Sequence, residues 1–336
     1  VLINNTTGIF MKTAFVTGAS GHLGANLVRR LIKSGWNVRC LIHRDTEALL
    51  GLDIEQVHGD LSSISILSKH MKGCEVVFHL AAYVGIENVN KKLMEKINIV
   101  GTKNMCEAAL NSNIKRFIHF STIHAFNQKP IDETLNEDRP LVNGPGSPMY
   151  DQTKAIAQTI VYDACKKGLN ASILHPTGVL GPFDYKPSRM GKVLMDIVNR
   201  KMLLQIDAGF NWVDARDVAD TAIQCVKSGE KGKNYIVSGR WASFKEISDI
   251  VSMLINKRTS LMTLPFWIAY LATPFAYISS KISGNRPSFS LGSLHALSVQ
   301  CKVISNDLAK NTLRHNVRPL ENTIADTIDW IQKYVD

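Results

Sequence analysis

The chain has 336 residues, of which 45% are apolar and 20% charged, a composition that excludes a disordered or fibrous protein. Its length allows one large domain or two modest ones. Lysine and arginine (39) exceed aspartate and glutamate (29), and the net charge of +10 favours anionic partners such as phosphates. The basic residues form no long run, so we expect no nucleic-acid partner.

Short apolar runs and helical patterns alternate through the first half of the chain. We predict strands at 13–17, 38–42, 55–58, 76–80, 117–120 and 171–174, and helices at 22–34, 64–71, 91–110 and 150–167. This alternation predicts an α/β fold with a doubly wound parallel sheet of the Rossmann type. Ligands of such sheets bind beyond the carboxyl ends of the strands.

The pattern loosens after Pro176. Residues 178–187 are typical of a loop, and we predict later elements at 214–227, 235–237, 244–255 and 321–334. The segment 259–280 carries no charge but is interrupted by two prolines. We favour helices that cover a substrate cavity or pack on the core, and a membrane-surface contact or a membrane span stays open.

The first residues of the chain and its cysteines indicate a cellular compartment. Residues 1–10 lack the features of a signal peptide, and Met11, which directly precedes the first strand, could be the natural start. The six cysteines form no CxxC pair, so we expect a reduced, cytoplasmic protein. Three histidines at 119, 124 and 175 have no metal-ligand spacing, and we predict no metal site.

Glycines 18, 21 and 24 form a GxxGxxG pattern between the first strand and the first helix. One glycine allows the tight turn, one lets the backbone approach a pyrophosphate, and one allows close packing of the helix on the strand. The start of the helix supplies free N–H groups for the phosphate. This context predicts a dinucleotide site.

The block TGASGHLG at 17–24 resembles the fingerprint of the extended short-chain dehydrogenase/reductase family, also called the NAD-dependent epimerase/dehydratase family. Blocks at 58–61 (HGDL), 79–82 (HLAA), 98–102 (NIVGT) and 175–182 (HPTGVLGP) match that family in order and spacing. The resemblance is strongest to dihydroflavonol-4-reductase-like enzymes. It implies a Rossmann domain over 11–176, with probable returns near 212–240, and a smaller, mainly helical substrate-binding region over 177–336.

The resemblance also implies which residues contact the cofactor. They are Gly18, Ser20, Gly21, His22, Leu23, Gly24, Asp60, Leu61, Leu80, Ala81, Ala82, Asn98, Ser121, Tyr150, Lys154, Pro176 and Val179.

The end of the second strand decides between NAD and NADP. Enzymes that prefer NAD place a carboxylate there, and this chain has Ile42 at that position. His43 and Arg44 follow, and a basic pair favours the additional 2′-phosphate of NADP. We therefore expect NADP(H) to be preferred over NAD(H), although Asp45 keeps NAD possible.

Tyr150 and Lys154 form a YxxxK pair whose side chains share one helix face. We expect the cation to lower the pKa of the phenol, so that Tyr150 can exchange a proton. In the family resemblance these two residues are catalytic, and Thr122 holds the substrate oxygen.

Substrate contacts are predicted at Phe126, Asn127, Tyr185 and Trp212. Sugar-nucleotide enzymes of the family have an arginine where this chain has Phe210, which favours a small, rather apolar carbonyl compound. Three alternatives to this reading stay open: a sugar-nucleotide epimerase or dehydratase, a 3β-hydroxysteroid dehydrogenase-like enzyme, and a non-catalytic NADP-binding protein. A homodimer is also possible.

Overall fold

The computed structural model describes residues 12–85, 90–144, 146–202, 204–259, 262–271 and 300–335, with residues 273, 294, 297 and 298 between the last two ranges. Met11 and the residues before it lie outside the described residues, as do positions 274–280 of the uncharged segment.

The strands follow the predicted order, with additions in the second half of the chain. They are β1 (Thr13–Thr17), β2 (Asn37–Ile42), β3 (Glu55–His58), β4 (Val76–His79), β5 (Arg116–Phe120), β6 (Ala171–Pro176), β7 (Gly178–Leu180), β8 (Leu204–Ile206), β9 (Gly209–Asp214), β10 (Asn234–Val237), β11 (Arg240–Ser243) and β12 (Met262–Leu264).

Most helices also lie where the sequence predicted them. They are α1 (His22–Lys33), α2 (Ile64–Met71), α3 (Lys91–Glu95), α4 (Gly101–Asn111), α5 (Met149–Lys166), α6 (Arg189–Val198), α7 (Ala215–Ser228), α8 (Phe244–Leu254), α9 (Asp307–Leu313) and α10 (Leu320–Val335). A π-helical turn, Lys96–Val100, joins α3 to α4 where one helix was predicted.

Seven parallel strands form the central sheet in the order β10-β6-β5-β4-β1-β2-β3. The predicted doubly wound sheet is thereby confirmed. The strand order reverses between β1 and β4, which lie side by side with Thr17 opposite His79. In sheets of this kind, the crevice for a ligand opens at that point, beyond the carboxyl ends of the strands.

Apolar side chains cover both faces of the sheet. In β1, Ala14 and Val16 belong to a core with α1 and α7, whereas Phe15 belongs to a second core with α2, α4 and α5. This alternation follows from the two-residue period of a strand. It explains why the buried strands have nearly continuous apolar sequences.

A smaller part of the chain folds beyond the carboxyl edge of the sheet. It contains a three-stranded sheet of order β11-β9-β7 and the pair β12-β8. Its core includes Trp212, Phe244 and Ile324. The chain returns from this part to the central sheet, because β10 pairs with β6. Across the ranges given above, we find no helix that is long and apolar enough to span a membrane.

Candidate active site at the carboxyl edge of the sheet

The glycine turn after β1 has one position that is open to a ligand. Gly18 adopts φ +70°, and a Cβ there would lie 2.7 Å from the Ala81 nitrogen. A Cβ on Gly24 would lie 2.1 Å from the Gly18 carbonyl oxygen. Gly21 is exposed, and the nearest atom to its Cβ position is 3.4 Å away, which is an ordinary contact distance. The protein itself therefore does not require glycine at 21.

This turn fits a pyrophosphate. Gly21 caps α1 with no side-chain hydrogen bond, and the first turn of α1 contains no acidic residue. The first N–H groups of a helix have no partner inside the helix, and they carry a partial positive charge. A backbone that is open at Gly21, with such N–H groups beside it, can hold a phosphate group.

A directed line of hydrogen bonds runs from this turn across the sheet. The Ala81 N–H donates to Thr17 Oγ1 (3.3 Å), and the Thr17 hydroxyl pairs with His79 Nδ1 (2.8 Å). His79 Nε2 pairs with Thr102 Oγ1 (3.1 Å), and Thr102 donates to the Asn98 carbonyl (2.7 Å). Burial lowers the pKa of His79 to about 3. The imidazole is therefore neutral, accepts at Nδ1 and donates at Nε2.

Asn98 extends this line to the helix that bears Tyr150. Its amide group brackets the Tyr83 backbone, accepting from the N–H (2.7 Å) and donating to the carbonyl (3.1 Å). It also donates to Thr153 Oγ1 (3.0 Å), and Thr153 donates to the Tyr150 carbonyl (2.9 Å). Both amide protons of Asn98 are thus used within the protein, where they fix the backbone at Tyr83 to α5.

The three predicted catalytic residues come together at the end of β5. Thr122 is 8% exposed, and its hydroxyl lies near enough to the Tyr150 phenol to act against the rise in the pKa of that phenol. Tyr150 is the second residue of α5. Lys154, only 3% exposed, lies one turn further along and donates from Nζ to the Phe120 carbonyl (2.5 Å).

The electrostatics of this group differ from the prediction. We expected Lys154 to lower the pKa of Tyr150, but burial of the phenol raises that pKa and Asp151 raises it further. Only the hydrogen bond from Thr122 acts in the opposite direction. The prediction fails because Lys154 donates to a carbonyl and is itself desolvated, which lowers its pKa to about 7.

The remaining predicted cofactor residues border the same edge. Ser20, His22 and Leu23 belong to the glycine turn and α1; Leu80 and Ala82 follow β4; Ser121 follows β5; Pro176 ends β6; Val179 lies in β7. The Ser121 hydroxyl contacts Gln158 Oε1 (3.4 Å).

The end of β2 and the end of β3 lie close together. His43 and Arg44 are exposed after β2, and the electrostatic field of His43 reaches Asp60 after β3. Asp60 accepts one hydrogen bond from the Ser62 N–H (2.8 Å) and another from the Ser62 hydroxyl. Both bonds lower the pKa of Asp60. Leu61 packs where a side chain on Gly101 would otherwise lie. The basic pair therefore lies beside the predicted adenine-binding residues.

Two predicted substrate contacts are wrong. Trp212 is 3% exposed, donates to the Ala242 carbonyl (2.9 Å) and packs against Phe244. Phe126 is 1% exposed and packs on His175, with ring centroids 4.5 Å apart. Both aromatic rings fill cores, so neither can face a ligand.

The other two predicted substrate contacts lie elsewhere on the surface. Asn127 is exposed, and its side chain accepts from the Lys129 N–H (3.1 Å). Tyr185 contacts α1 and α10, where its hydroxyl accepts from Arg29 (3.1 Å) and its ring packs on Trp330. The structure therefore places Tyr185 between α1 and α10, and the contacts found among the described residues do not join it to the Tyr150 trio.

Sequence reasoning missed the residues that join these groups, above all His79 and Thr153. The sequence signal for His79 was a histidine within an apolar strand. Its partners are a threonine of β1 and a threonine of α4. Its neighbour His119 has both ring nitrogens buried without a hydrogen-bond partner among the described residues. Within the same residues, no group of three side chains could hold a metal ion.

Comparison with known proteins identifies the family. The sequence model of the NAD dependent epimerase/dehydratase family matches residues 14–238, which is more than half of the chain. The chain belongs to this family. As a family member, it is an oxidoreductase-type enzyme that uses a nicotinamide dinucleotide.

Relatives of this family member include proteins whose names refer to a sterol or a dihydroflavonol. Sterol demethylase protein B of Methylococcus capsulatus is 31% identical over 75% of this chain and 77% of its own length. A Synechocystis sp. protein named "Putative dihydroflavonol 4-reductase" is 28% identical over 95% of this chain and 94% of its own length. The likeness to dihydroflavonol-4-reductase-like proteins is thereby confirmed.

Solved structures share the whole fold. The crystal structure of gox2253 superposes with a TM-score of 0.83 at 26% identity, covering 96% of this chain and 98% of that one. The UDP-glucose 4-epimerase of Thermotoga maritima gives a TM-score of 0.79 at 16% identity, covering 96% of this chain and all of that one. The second likeness concerns the fold alone.

The glycine turn gives a paired prediction. Gly21→Ala should weaken binding of nicotinamide dinucleotides at least tenfold and leave the melting temperature unchanged, because the added methyl group enters only the ligand's space. Gly24→Ala should instead destabilise the fold by about 2 kcal/mol, because its methyl group overlaps the turn itself. Calorimetric titration and thermal unfolding measure the two effects. Equal losses of stability in both variants would contradict this division.

Lys154 gives a prediction about pH. The pKa of Lys154 is about 7 in the folded chain and 10.5 as its reference value, so the unfolded chain binds more protons between these pH values. Wild-type stability therefore rises with pH across that window. Lys154→Met removes this dependence and should melt above the wild type at pH 7, by a margin that shrinks toward pH 10. Thermal unfolding at both pH values tests this, and parallel pH curves would contradict it.

Proposed function

We propose that the protein reduces the carbonyl group of a small, rather apolar compound with NADP(H), and that Tyr150 donates the proton. The observation that carries this proposal is the trio at the end of β5. The Tyr150 phenol lies near the Thr122 hydroxyl, with the buried side chain of Lys154 one helical turn away, beside a glycine turn that fits a pyrophosphate.

Each member of the trio has a distinct task. A bound nicotinamide supplies the hydride to the carbonyl carbon. Tyr150 is protonated at neutral pH because burial raises its pKa, so it holds the proton that the substrate oxygen needs. The Thr122 hydroxyl lies at the same phenol and orients that oxygen.

The charge left on Tyr150 after proton transfer must be stabilised. Tyr150 is the second residue of α5, so the partial positive charge of the helix N-terminus acts on the phenolate. The Lys154 ammonium can turn from the Phe120 carbonyl toward it. Because the pKa of Lys154 is about 7, the charged form declines as the pH rises above 7, and the rate of reduction should decline with it.

The preference for NADP(H) is supported by the end of β2. His43 and Arg44 are exposed and make no hydrogen bond or ion pair with any residue in the described ranges. Ile42, where NAD enzymes have a carboxylate, is buried. Two free basic groups beside Asp60 suit a 2′-phosphate.

An apolar substrate is supported by the smaller part of the chain, which we assign to substrate binding. Phe210 packs between Trp212 and Phe244, where sugar-nucleotide enzymes place an arginine for the diphosphate. Relatives are named for sterols and dihydroflavonols, which suggests a ring compound with few charges. Oxidation of a 3β-hydroxysteroid by the same residues is the second candidate, supported by the 31% identical relative.

A panel assay tests the proposed function. NADPH oxidation is measured with steroid 3-ketones, flavanones and simple aromatic ketones, and in parallel with UDP-glucose as the sugar-nucleotide probe. We expect turnover only with the apolar carbonyl compounds, and a loss of about 100-fold or more in Tyr150→Phe with unchanged NADPH binding. Turnover of UDP-glucose alone would contradict the assigned substrate class.

Tyr162→Phe is the matched control, because it removes a phenol oxygen about 18 Å further along the same helix. The Tyr162 hydroxyl bonds to Gln158 and Asn234 and, among the described residues, makes no hydrogen bond with Thr122, Tyr150 or Lys154, so its variant should keep wild-type rates. Tight NADPH binding without turnover of any compound would support a non-catalytic binding protein instead.

A further inference from the structure

The loop at 181–188, between β7 and α6, is fixed on the helix of the glycine turn. His22 Nε2 donates to the Gly181 carbonyl (3.0 Å), and Asn26 donates to the Pro182 carbonyl (2.9 Å). One turn further along α1, Arg29 donates to the Tyr185 hydroxyl (3.1 Å). This loop of the smaller part of the chain therefore has a defined position beside the phosphate site.

Arg29 also joins the loop to the segment after β2. Its guanidinium packs on the Phe183 ring (4.4 Å to the centroid) and donates to the Ala48 carbonyl (2.9 Å). Partial burial lowers the pKa of Arg29, which indicates a side chain enclosed between the two segments. The residues after β2 and the loop at 181–188 are thus held as one unit.

An ion pair closes this unit at the surface. Lys186 Nζ contacts the Asp45 carboxylate, with the two side chains 59% and 50% exposed. Asp45 directly follows His43 and Arg44. A carboxylate near this position would accept from the ribose 2′-hydroxyl of NAD and repel the 2′-phosphate of NADP. Because Asp45 is paired with Lys186, it neither accepts from that hydroxyl nor repels that phosphate.

We propose that Lys186 determines cofactor selectivity by holding Asp45 away from the 2′-phosphate, which leaves His43 and Arg44 to bind it. This inference rests on the proposed use of NADP(H). It assigns the selectivity to a side chain that lies about 140 residues beyond β2 in the sequence, on a loop of the other part of the chain.

The test measures binding of two cofactor fragments to the full chain by calorimetry, with no turnover required. The fragments are 2′,5′-ADP, which carries the 2′-phosphate, and 5′-ADP, which does not. We expect Lys186→Gln to bind 2′,5′-ADP about fivefold more weakly, the upper range for exposed charges, and 5′-ADP as well as the wild type. Lys186→Arg should retain wild-type binding, and the loss should diminish at high ionic strength.

The double variant Asp45→Asn/Lys186→Gln decides the mechanism. With the carboxylate removed, it should regain wild-type affinity for 2′,5′-ADP. If the double variant stays weak, Lys186 contacts the phosphate directly and the inference is wrong; unchanged binding in Lys186→Gln alone also overturns it. Lys192→Gln, an exposed lysine on α6, controls for net charge. If the wild type binds neither fragment, that result contradicts the proposed function instead.

Discussion

A neutral histidine in the middle of the sheet, His79, joins the glycine turn to α5. The hydrogen bonds run from Thr17 through His79 to Asn98, and from there by way of Thr153 to the backbone of Tyr150. Because burial lowers the pKa of His79 to about 3, the direction of donation along this line does not change in the physiological range. The glycine turn, the loop after β4 and the start of α5 are therefore held in one arrangement.

The same region contains groups whose burial opposes stability. Lys154 is desolvated at the end of β5, and His119 has two buried nitrogens without partners among the described residues. Apolar side chains of similar volume would pack there with a smaller loss of folding free energy. Conflicts of this kind between local stability and the rest of the fold are expected at functional sites. The observed conflict supports a chemical role for this end of β5.

Much of the fold could be predicted because its signals are local. Strand and helix periods placed six of the seven strands of the central sheet, and the glycine spacing placed the turn. The grouping of Thr122, Tyr150 and Lys154 at the end of β5 could be predicted from the resemblance to the family, since these residues have fixed positions relative to β5 and α5. The wrong predictions at Phe126 and Trp212 have a common cause: an aromatic residue near a site has the same sequence signal whether it fills a core or faces a ligand.

Contacts between distant segments could not be predicted at all. The partners of His79 depend on which strands and helices pack together in the larger part of the chain. The pair of Asp45 with Lys186 depends on how the two parts of the chain meet. The shift in the pKa of Tyr150 depends on burial, which periodicity does not measure.

The most direct test of the account is a crystal structure of the chain with NADP⁺ bound. We expect the pyrophosphate at Gly21, the 2′-phosphate at Arg44, and the nicotinamide within contact distance of the Tyr150 hydroxyl. A nicotinamide lying away from Tyr150 would contradict the assignment of the active site.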